Sequence, residues 1–132
     1  METQALVQSV RSRTGLDESD ALAACEATIE TLGELFTHQE RETFLESLPD
    51  QLADYVVKHD PGQQFELDEF YQRVAQREGV ATGFGLEHAQ AVCQEMANLA
   101  GKDVRVFLKK RLPDEYEVLF ESPEVSPISP EY

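Results

Sequence analysis

The chain has 132 residues, of which 41% are hydrophobic, and a formal net charge of −15 at pH 7, so it is about one domain long with enough apolar material for a core. It contains no run of about 18 apolar residues and does not start with a secretion signal, which excludes a membrane-spanning helix and favours a soluble cytoplasmic protein. A charge of this sign repels phosphate backbones, so we expect no nucleic-acid binding. Because the sequence has no apolar run long enough to span a bilayer, we also expect no membrane partner.

The first third of the chain predicts a short helix followed by a long one. Residues 4–13 place their apolar side chains on one helical face, and Gly15 follows as a stop. Asp17 fits as the N-cap of a long helix that ends at about Glu34. The apolar positions of the long helix recur at spacings of 3, 4 and 3, namely Leu22, Cys25, Ile29 and Leu32.

A helical hairpin is predicted next. Thr37 and Glu40 have the spacing of a capping box, which satisfies two backbone donors at a helix start. Pro49 interrupts the pattern, and we expect it to begin a new helix that runs to about Lys58, because proline is tolerated in a first helical turn. Residues 59–62 then form a turn or short linker.

The second half of the chain predicts a similar order of helices. A helix begins at about Leu67 and stops at Gly79, and residues 81–85 are expected to form a loop that is longer than its counterpart. A long helix over about residues 86–100 follows, and Gly101 ends it. Its apolar positions again show the spacings 3, 4 and 3, namely Ala89, Val92, Met96 and Leu99.

The C-terminal part predicts a short helix, a second proline-started turn and a tail. The short helix ends in Lys109, Lys110 and Arg111, where cations suit the helix dipole. The chain restarts at Pro113. Residues 122–132 contain Ser-Pro three times and few large apolar side chains, so we expect an extended tail.

The two halves share residues at an offset of 64 positions. The sequence Leu48-Pro49-Asp50 recurs as Leu112-Pro113-Asp114, and four upstream pairs follow the same offset: Gln8 with Gln72, Val10 with Val74, Arg13 with Arg77, and Gly15 with Gly79. No stretch shows the alternation of a strand. We therefore predict an all-α fold, a single helical bundle of about seven or eight helices. Residues 1–121 form the domain, with pseudo-symmetric units at about residues 4–60 and 65–121.

The same positions resemble a known family. The glycine stops, the alanine-rich helix and the two Leu-Pro turns, the second ending in Leu119-Phe120, are similar to domain-of-unknown-function family 2267 over roughly residues 4–121. This resemblance implies a duplicated helical unit. It implies no activity and no catalytic residues.

Catalytic and metal-binding patterns are missing from the sequence. His38, His59 and His88 lack the close spacing of metal ligands. Cys25 and Cys93 fall on or beside apolar positions, and the simplest interpretation is that both are core residues. There is no phosphate loop, dinucleotide fingerprint or nucleophile elbow. We therefore predict no metal, no cofactor and no enzymatic activity.

Several residues remain as candidate partner contacts. Phe84 stands between two glycines and is either folded onto the core or exposed to a partner. The basic cluster is either a charged helix end or an anchor for an acidic ligand, and the tail could dock in an extended conformation. These candidates are Phe84, Lys109, Lys110, Arg111, Ile128 and Tyr132.

The leading functional hypothesis is a non-enzymatic protein–protein interaction module with an acidic surface, which binds another protein or a second copy of itself. Two alternatives remain open. One is a small apolar-ligand carrier or enzyme with a cavity between the two units. The other is an acidic mimic of nucleic acid, in which carboxylates take the place of phosphates.

Overall fold

The computed structural model describes residues 1–120, and these form eight helices and no strand. The all-α prediction of about seven or eight helices in one bundle is therefore confirmed. The α-helices are α1 (Thr3–Thr14), α2 (Glu18–Leu35), α3 (His38–Leu45), α4 (Asp50–Val56), α5 (Leu67–Glu78), α6 (Thr82–Ala100) and α7 (Lys102–Arg111). A 3-10 helix (Asp114–Phe120) completes the described part.

The two longest helices, α2 and α6, lie at the centre of the bundle. Helix α2 packs against α1, α4 and α5, helix α6 packs against α1, α5, α7 and the 3-10 helix, and the two pack against each other. Their central side chains, including Ile29 and Met96, have no exposed surface. The core therefore lies between the two long helices and the shorter ones that surround them.

Local signals set the helix boundaries as predicted in the first half. The Asp17 Oδ1 accepts a hydrogen bond of 2.8 Å from the Asp20 N–H, which satisfies a backbone donor at the start of α2. Thr37 and Glu40 form the reciprocal capping box at the start of α3. Pro49 precedes the first residue of α4, so the proline does begin a new helix.

The predicted loop over residues 81–85 is wrong, because α6 already begins at Thr82. Gly83 and Gly85 lie inside the first turns of the helix. A Cβ atom on Gly85 would lie 2.6 Å from the Ala75 Cβ, so this glycine is needed where α6 crosses α5. Both glycines are therefore helical, and close helix packing is the reason for the second one.

Three of the four residues in the apolar stripe predicted for α6, namely Ala89, Val92 and Met96, are fully buried. Leu99 is 40% exposed, whereas Cys93 is fully buried. Buried positions on the two long helices match at an offset of 68, in the pairs Ala21 with Ala89, Ala24 with Val92, and Cys25 with Cys93, and also at an offset of 67, in the pairs Cys25 with Val92 and Ile29 with Met96. The predicted stripe is therefore wrong only for Leu99, which lies in the last turn of α6.

Positions related by the 64-residue offset have similar roles. Gly15 and Gly79 both end helices with positive φ, 80° and 77°, and donate their N–H groups to the carbonyls of Arg11 and Ala75. Leu48 and Leu112 are both buried, with 8% and 5% of their surface exposed. The division into two duplicated units stays a prediction, and the tail over residues 122–132 lies outside the described residues.

Candidate functional site

An open groove runs between the C-terminal end of α1 and the first half of α6, and we call it the α1–α6 groove. Its volume is about 500 Å³. Its apolar lining is Leu16, Val80, Phe84 and Ala91, and its polar lining is Arg13, Thr14, Glu87, His88, Gln90 and Gln94. Residues from both halves of the chain therefore build one concave surface.

The turn after α5 places Val80 in the lining of the groove and Glu78 next to His88. The Gly79 N–H and the Val80 N–H both donate to the Ala75 carbonyl, at 2.8 and 3.0 Å, so the chain reverses immediately after Glu78. Helix α6 then returns along α5 and places His88 beside Glu78. A glycine in the left-handed conformation is therefore what brings these two side chains together.

His88 and Glu78 form a buried hydrogen-bonded contact. The His88 Nδ1 lies 2.7 Å from the Glu78 Oε2, and only 7% and 4% of the two side chains are exposed. Burial raises the pKa of Glu78, the hydrogen bond and charge of His88 act against this effect, and the nearby Asp20 adds to it. The second oxygen, Oε1, has no hydrogen-bond partner in the described part of the chain. Glu78 is therefore a buried carboxylate that is only partly satisfied.

The other ring nitrogen of His88 is open to the groove. None of the residues 1–120 makes a hydrogen bond to Nε2, and His88 lines the groove. Because the carboxylate fixes the ring through Nδ1, Nε2 is the atom that a ligand would meet.

Phe84 stands at the mouth of the groove, one helical turn before His88. It is 58% exposed, and its ring centroid lies 6.2 Å from that of His88, with the planes inclined by 34°. Of the two interpretations left open by the sequence, the structure therefore places the ring at the surface and away from the core.

Arg13 forms the opposite wall and ties α1 to α6. Its Nη1 donates to the Glu95 Oε2 at 2.8 Å, and its Nη2 donates to the Gln94 Oε1. Thr14 lies beside it and donates its hydroxyl to the Val10 carbonyl at 2.7 Å. The guanidinium charge is therefore already balanced by a carboxylate, and the hydroxyl proton is already bound.

A second charged cluster lies where α2 meets α5. The buried Glu34 carboxylate accepts from Arg77 at 2.6 Å and from Arg73 at 3.0 Å. Burial by itself raises the pKa of Glu34, but the hydrogen bonds and charges of Arg77 and Arg73 lower it overall. Because every charge in this cluster has a partner of opposite sign, we interpret it as a structural contact.

The other sequence-predicted contacts lie elsewhere. Lys109 and Lys110 are exposed in the last turn of α7, and the Arg111 guanidinium lies 5.9 Å from the centroid of the Phe107 ring. None of the three lines the α1–α6 groove. Ile128 and Tyr132 lie outside the described residues.

The pair of His88 and Glu78 was missed by sequence reasoning. A signal existed, since His88 lies on the face of α6 that carries Gly85, Ala89 and Val92. A histidine on an apolar face needs a buried partner. Its partner ten residues earlier became evident only when the turn at Gly79 had been placed. Residues 1–120 hold no group of three or more histidine, cysteine, aspartate or glutamate side chains suited to a metal ion.

Comparison with family models assigns the chain. The model described as "Uncharacterized conserved protein (DUF2267)" matches residues 3–119. The chain belongs to the DUF2267 family. No curated protein and no solved structure matches it. Within the described part of this DUF2267 protein, no helix is both long enough and apolar enough to cross a lipid bilayer.

Proposed function

We propose that this DUF2267 protein is a non-enzymatic protein-interaction module, and that a basic segment of a partner protein docks in the α1–α6 groove. The observation that carries the proposal is Phe84, a large aromatic ring that is 58% exposed at the mouth of a concave surface. Aromatic side chains beside a groove are typical anchors of protein interfaces.

The charges around the groove favour a basic partner. Glu87 lines the groove, Glu95 and Glu78 lie next to it, and Asp20 is close enough to influence Glu78. Arg13 is the one arginine or lysine among the lining residues, and it is paired with Glu95. The whole chain carries −15, so a second copy would be repelled and a basic segment would be attracted.

The environment of the nucleophilic side chains supports a non-enzymatic role. The Thr14 hydroxyl in the groove donates to a backbone carbonyl. Both cysteines are fully buried, and burial raises the pKa of Cys25 to about 12, whereas a nucleophilic cysteine needs a lowered pKa. His88 is therefore not accompanied by an activated nucleophile among the described residues.

The test is affinity capture from native lysate with three versions of the full chain. Wild type should retain a basic protein, the Phe84→Ala variant should lose most of it, and the Val57→Ala variant should retain it. Val57 is a fair control because it is similarly exposed, at 53%, and does not line the groove. Capture should weaken as salt is added, since screening reduces attraction between exposed charges.

Three outcomes would overturn the proposal. The first is a partner that binds Phe84→Ala as well as wild type. The second is an acidic partner. The third is a chain that recovers only its own copies, which would place the interface in self-association.

A small-molecule carrier is the second candidate, and the size of the groove is what favours it. A volume of about 500 Å³ lies within the usual range for ligand sites, roughly 300–1,000 Å³. The site is an open groove rather than an enclosed cavity between the two units. Native mass spectrometry of the purified chain would support the carrier if a stoichiometric small molecule were found, and its absence would favour the protein-binding role.

A further inference from the structure

We propose that His88, oriented by Glu78, selects the ligand of the α1–α6 groove by accepting a hydrogen bond at Nε2 from a cationic N–H group, the guanidinium of arginine or the ammonium of lysine. The inference rests on the proposed function and specifies the chemistry that the groove recognises.

The first step concerns the proton on the imidazole ring. An ionised carboxylate can only accept hydrogen bonds, so the Glu78 Oε2 at 2.7 Å requires the proton on Nδ1. A neutral imidazole has one N–H, which leaves a bare lone pair on Nε2. The ring therefore presents an acceptor to the groove, and it is held there by a side chain of which only 4% is exposed.

The second step concerns charge. Within residues 1–120, no arginine or lysine contacts Glu78, and its Oε1 has no donor. A buried carboxylate without a cation is costly, and a ligand cation one imidazole away would offset part of that cost. Glu87 on the lining adds negative charge at the same place.

The third step concerns the surface next to the acceptor. The exposed Phe84 ring lies 6.2 Å from the His88 ring, so a cation that bonds Nε2 could also lie against the aromatic face. Cation–π contacts favour arginine and lysine side chains in this arrangement. The Arg13 guanidinium does not occupy the position, because it is bonded to Glu95 and Gln94.

The probe is N-acetyl-arginine amide, titrated at low ionic strength and neutral pH into the full chain with isotope-labelled histidine. The ring signals of His88 should shift and saturate. The Glu78→Gln variant removes the carboxylate charge behind the ring, and its amide can either accept from Nδ1 or donate to it, so Nε2 is no longer fixed as an acceptor. Affinity should fall by at least about tenfold, which is typical for the loss of a hydrogen bond to a charged group.

A matched control exists, because His59 and Glu30 form a second histidine–glutamate contact, at 2.6 Å, outside the groove. The Glu30→Gln variant should bind the probe as wild type does. The neutral analogue N-acetyl-citrulline amide should bind wild type at least about tenfold more weakly, and acetate should not shift the His88 signals. This comparison uses wild type alone, so it decides the matter even if Glu78→Gln does not fold.

Three results would overturn the inference: equal binding of the citrulline analogue, binding of acetate at His88, or a folded Glu78→Gln variant with unchanged affinity. A captured partner that depends on Phe84 but not on Glu78 would remove this inference and leave the proposed function in place. Binding of the arginine amide at His88 without any protein partner that depends on Phe84 would remove the proposed function and leave this inference in place.

Discussion

Two buried glutamates in this chain have opposite environments. The pKa of Glu34 is lowered, because Arg77 and Arg73 outweigh the effect of burial. The pKa of Glu78 is raised, because burial outweighs the contribution of His88. Residues of the same type, each with 4% of the side chain exposed, therefore differ in role. Glu34 stabilises the fold as a paired ion, whereas Glu78 keeps an unsatisfied oxygen beside a groove.

The Glu34→Gln variant should be less stable than wild type by roughly 3 kcal/mol near neutral pH, because it removes the partner of two arginines from a buried contact. Because the pKa of Glu34 is lowered in the folded state, its carboxylate contributes its full stabilisation at pH values above the unfolded-state pKa. The contribution is lost as the pH falls through the folded-state pKa. The difference in the free energy of unfolding between wild type and Glu34→Gln should therefore decrease on acidification below about pH 4. Urea unfolding of both proteins at several pH values measures this difference.

Glu69→Gln is the control for this prediction. Glu69 also contacts Arg73, but 48% of its side chain is exposed, so its loss should change the stability by no more than about 0.5 kcal/mol at any pH. A gap between wild type and Glu34→Gln that does not change with pH would contradict the assignment of the carboxylate.

The two thiols should be unreactive while the chain is folded. With a pKa of about 12 for Cys25, only about one thiol in ten thousand would be ionised at pH 8. Cys93 is fully buried, and burial raises its pKa as well. A disulfide-exchange reagent should modify neither cysteine in the native protein and both in urea. Rapid modification of the native protein would show that one thiol is accessible.

At the scale of elements, glycines decide how closely helices cross. A Cβ atom on Gly85 would meet Ala75 of α5, and one on Gly33 of α2 would lie 2.9 Å from the Val56 Cα at the end of α4. Both glycines lie inside helices, where glycine is intrinsically unfavourable. The close contacts of α6 with α5 and of α2 with α4 explain their presence.

Substitutions at Gly83 and Gly85 should have opposite effects, although the two residues share one turn of α6. Gly83→Ala should stabilise the protein by about 0.5–1 kcal/mol, because nothing lies within 4 Å of the added Cβ and alanine favours the helix. Gly85→Ala should destabilise it by about 1–3 kcal/mol through overpacking against Ala75.

Urea unfolding of both variants tests this pair of predictions. Stabilisation by both alanines would mean that α5 moves away from α6 without cost. Destabilisation by both would mean that the first turn of α6 is not helical.

At the scale of the whole molecule, the two halves of the chain interlock. Helix α1 packs on α6 of the other half, and α5 packs on α2. Arg13 and Arg77, which are related by the 64-residue offset, each bind the long helix of the opposite half: Arg13 contacts Glu95, and Arg77 contacts Thr31 and Glu34. Each half therefore leaves much of its apolar surface uncovered unless the other half is present.

Fragments of residues 1–62 and 63–132 should consequently fail to fold alone. Each long helix would keep the neighbours of its own half but lose those of the other, since α2 would lose α5 and α6, and α6 would lose α1 and α2. Short isolated helices are marginal in water. Circular dichroism on heating should show no cooperative transition for either fragment, in contrast to the full chain. A cooperative transition in one fragment would identify an independent folding unit and contradict the interlocked arrangement.

The sequence by itself determined the helix class and most helix boundaries, because caps, stops and prolines act over three or four residues. Helices begin directly after Asp17, Thr37 and Pro49 and one ends directly before Gly79, as the sequence predicts. The helical state of Gly85 near the start of α6 was decided by tertiary structure, since this glycine faces Ala75 of α5, and so was the exposure of Leu99 near the end of the helix. The groove was decided in the same way, because His88, Glu78 and Arg13 converge only when α1, α5 and α6 are packed together. Caps, stops and prolines act on neighbouring residues, whereas a site built from three helices depends on how those helices cross.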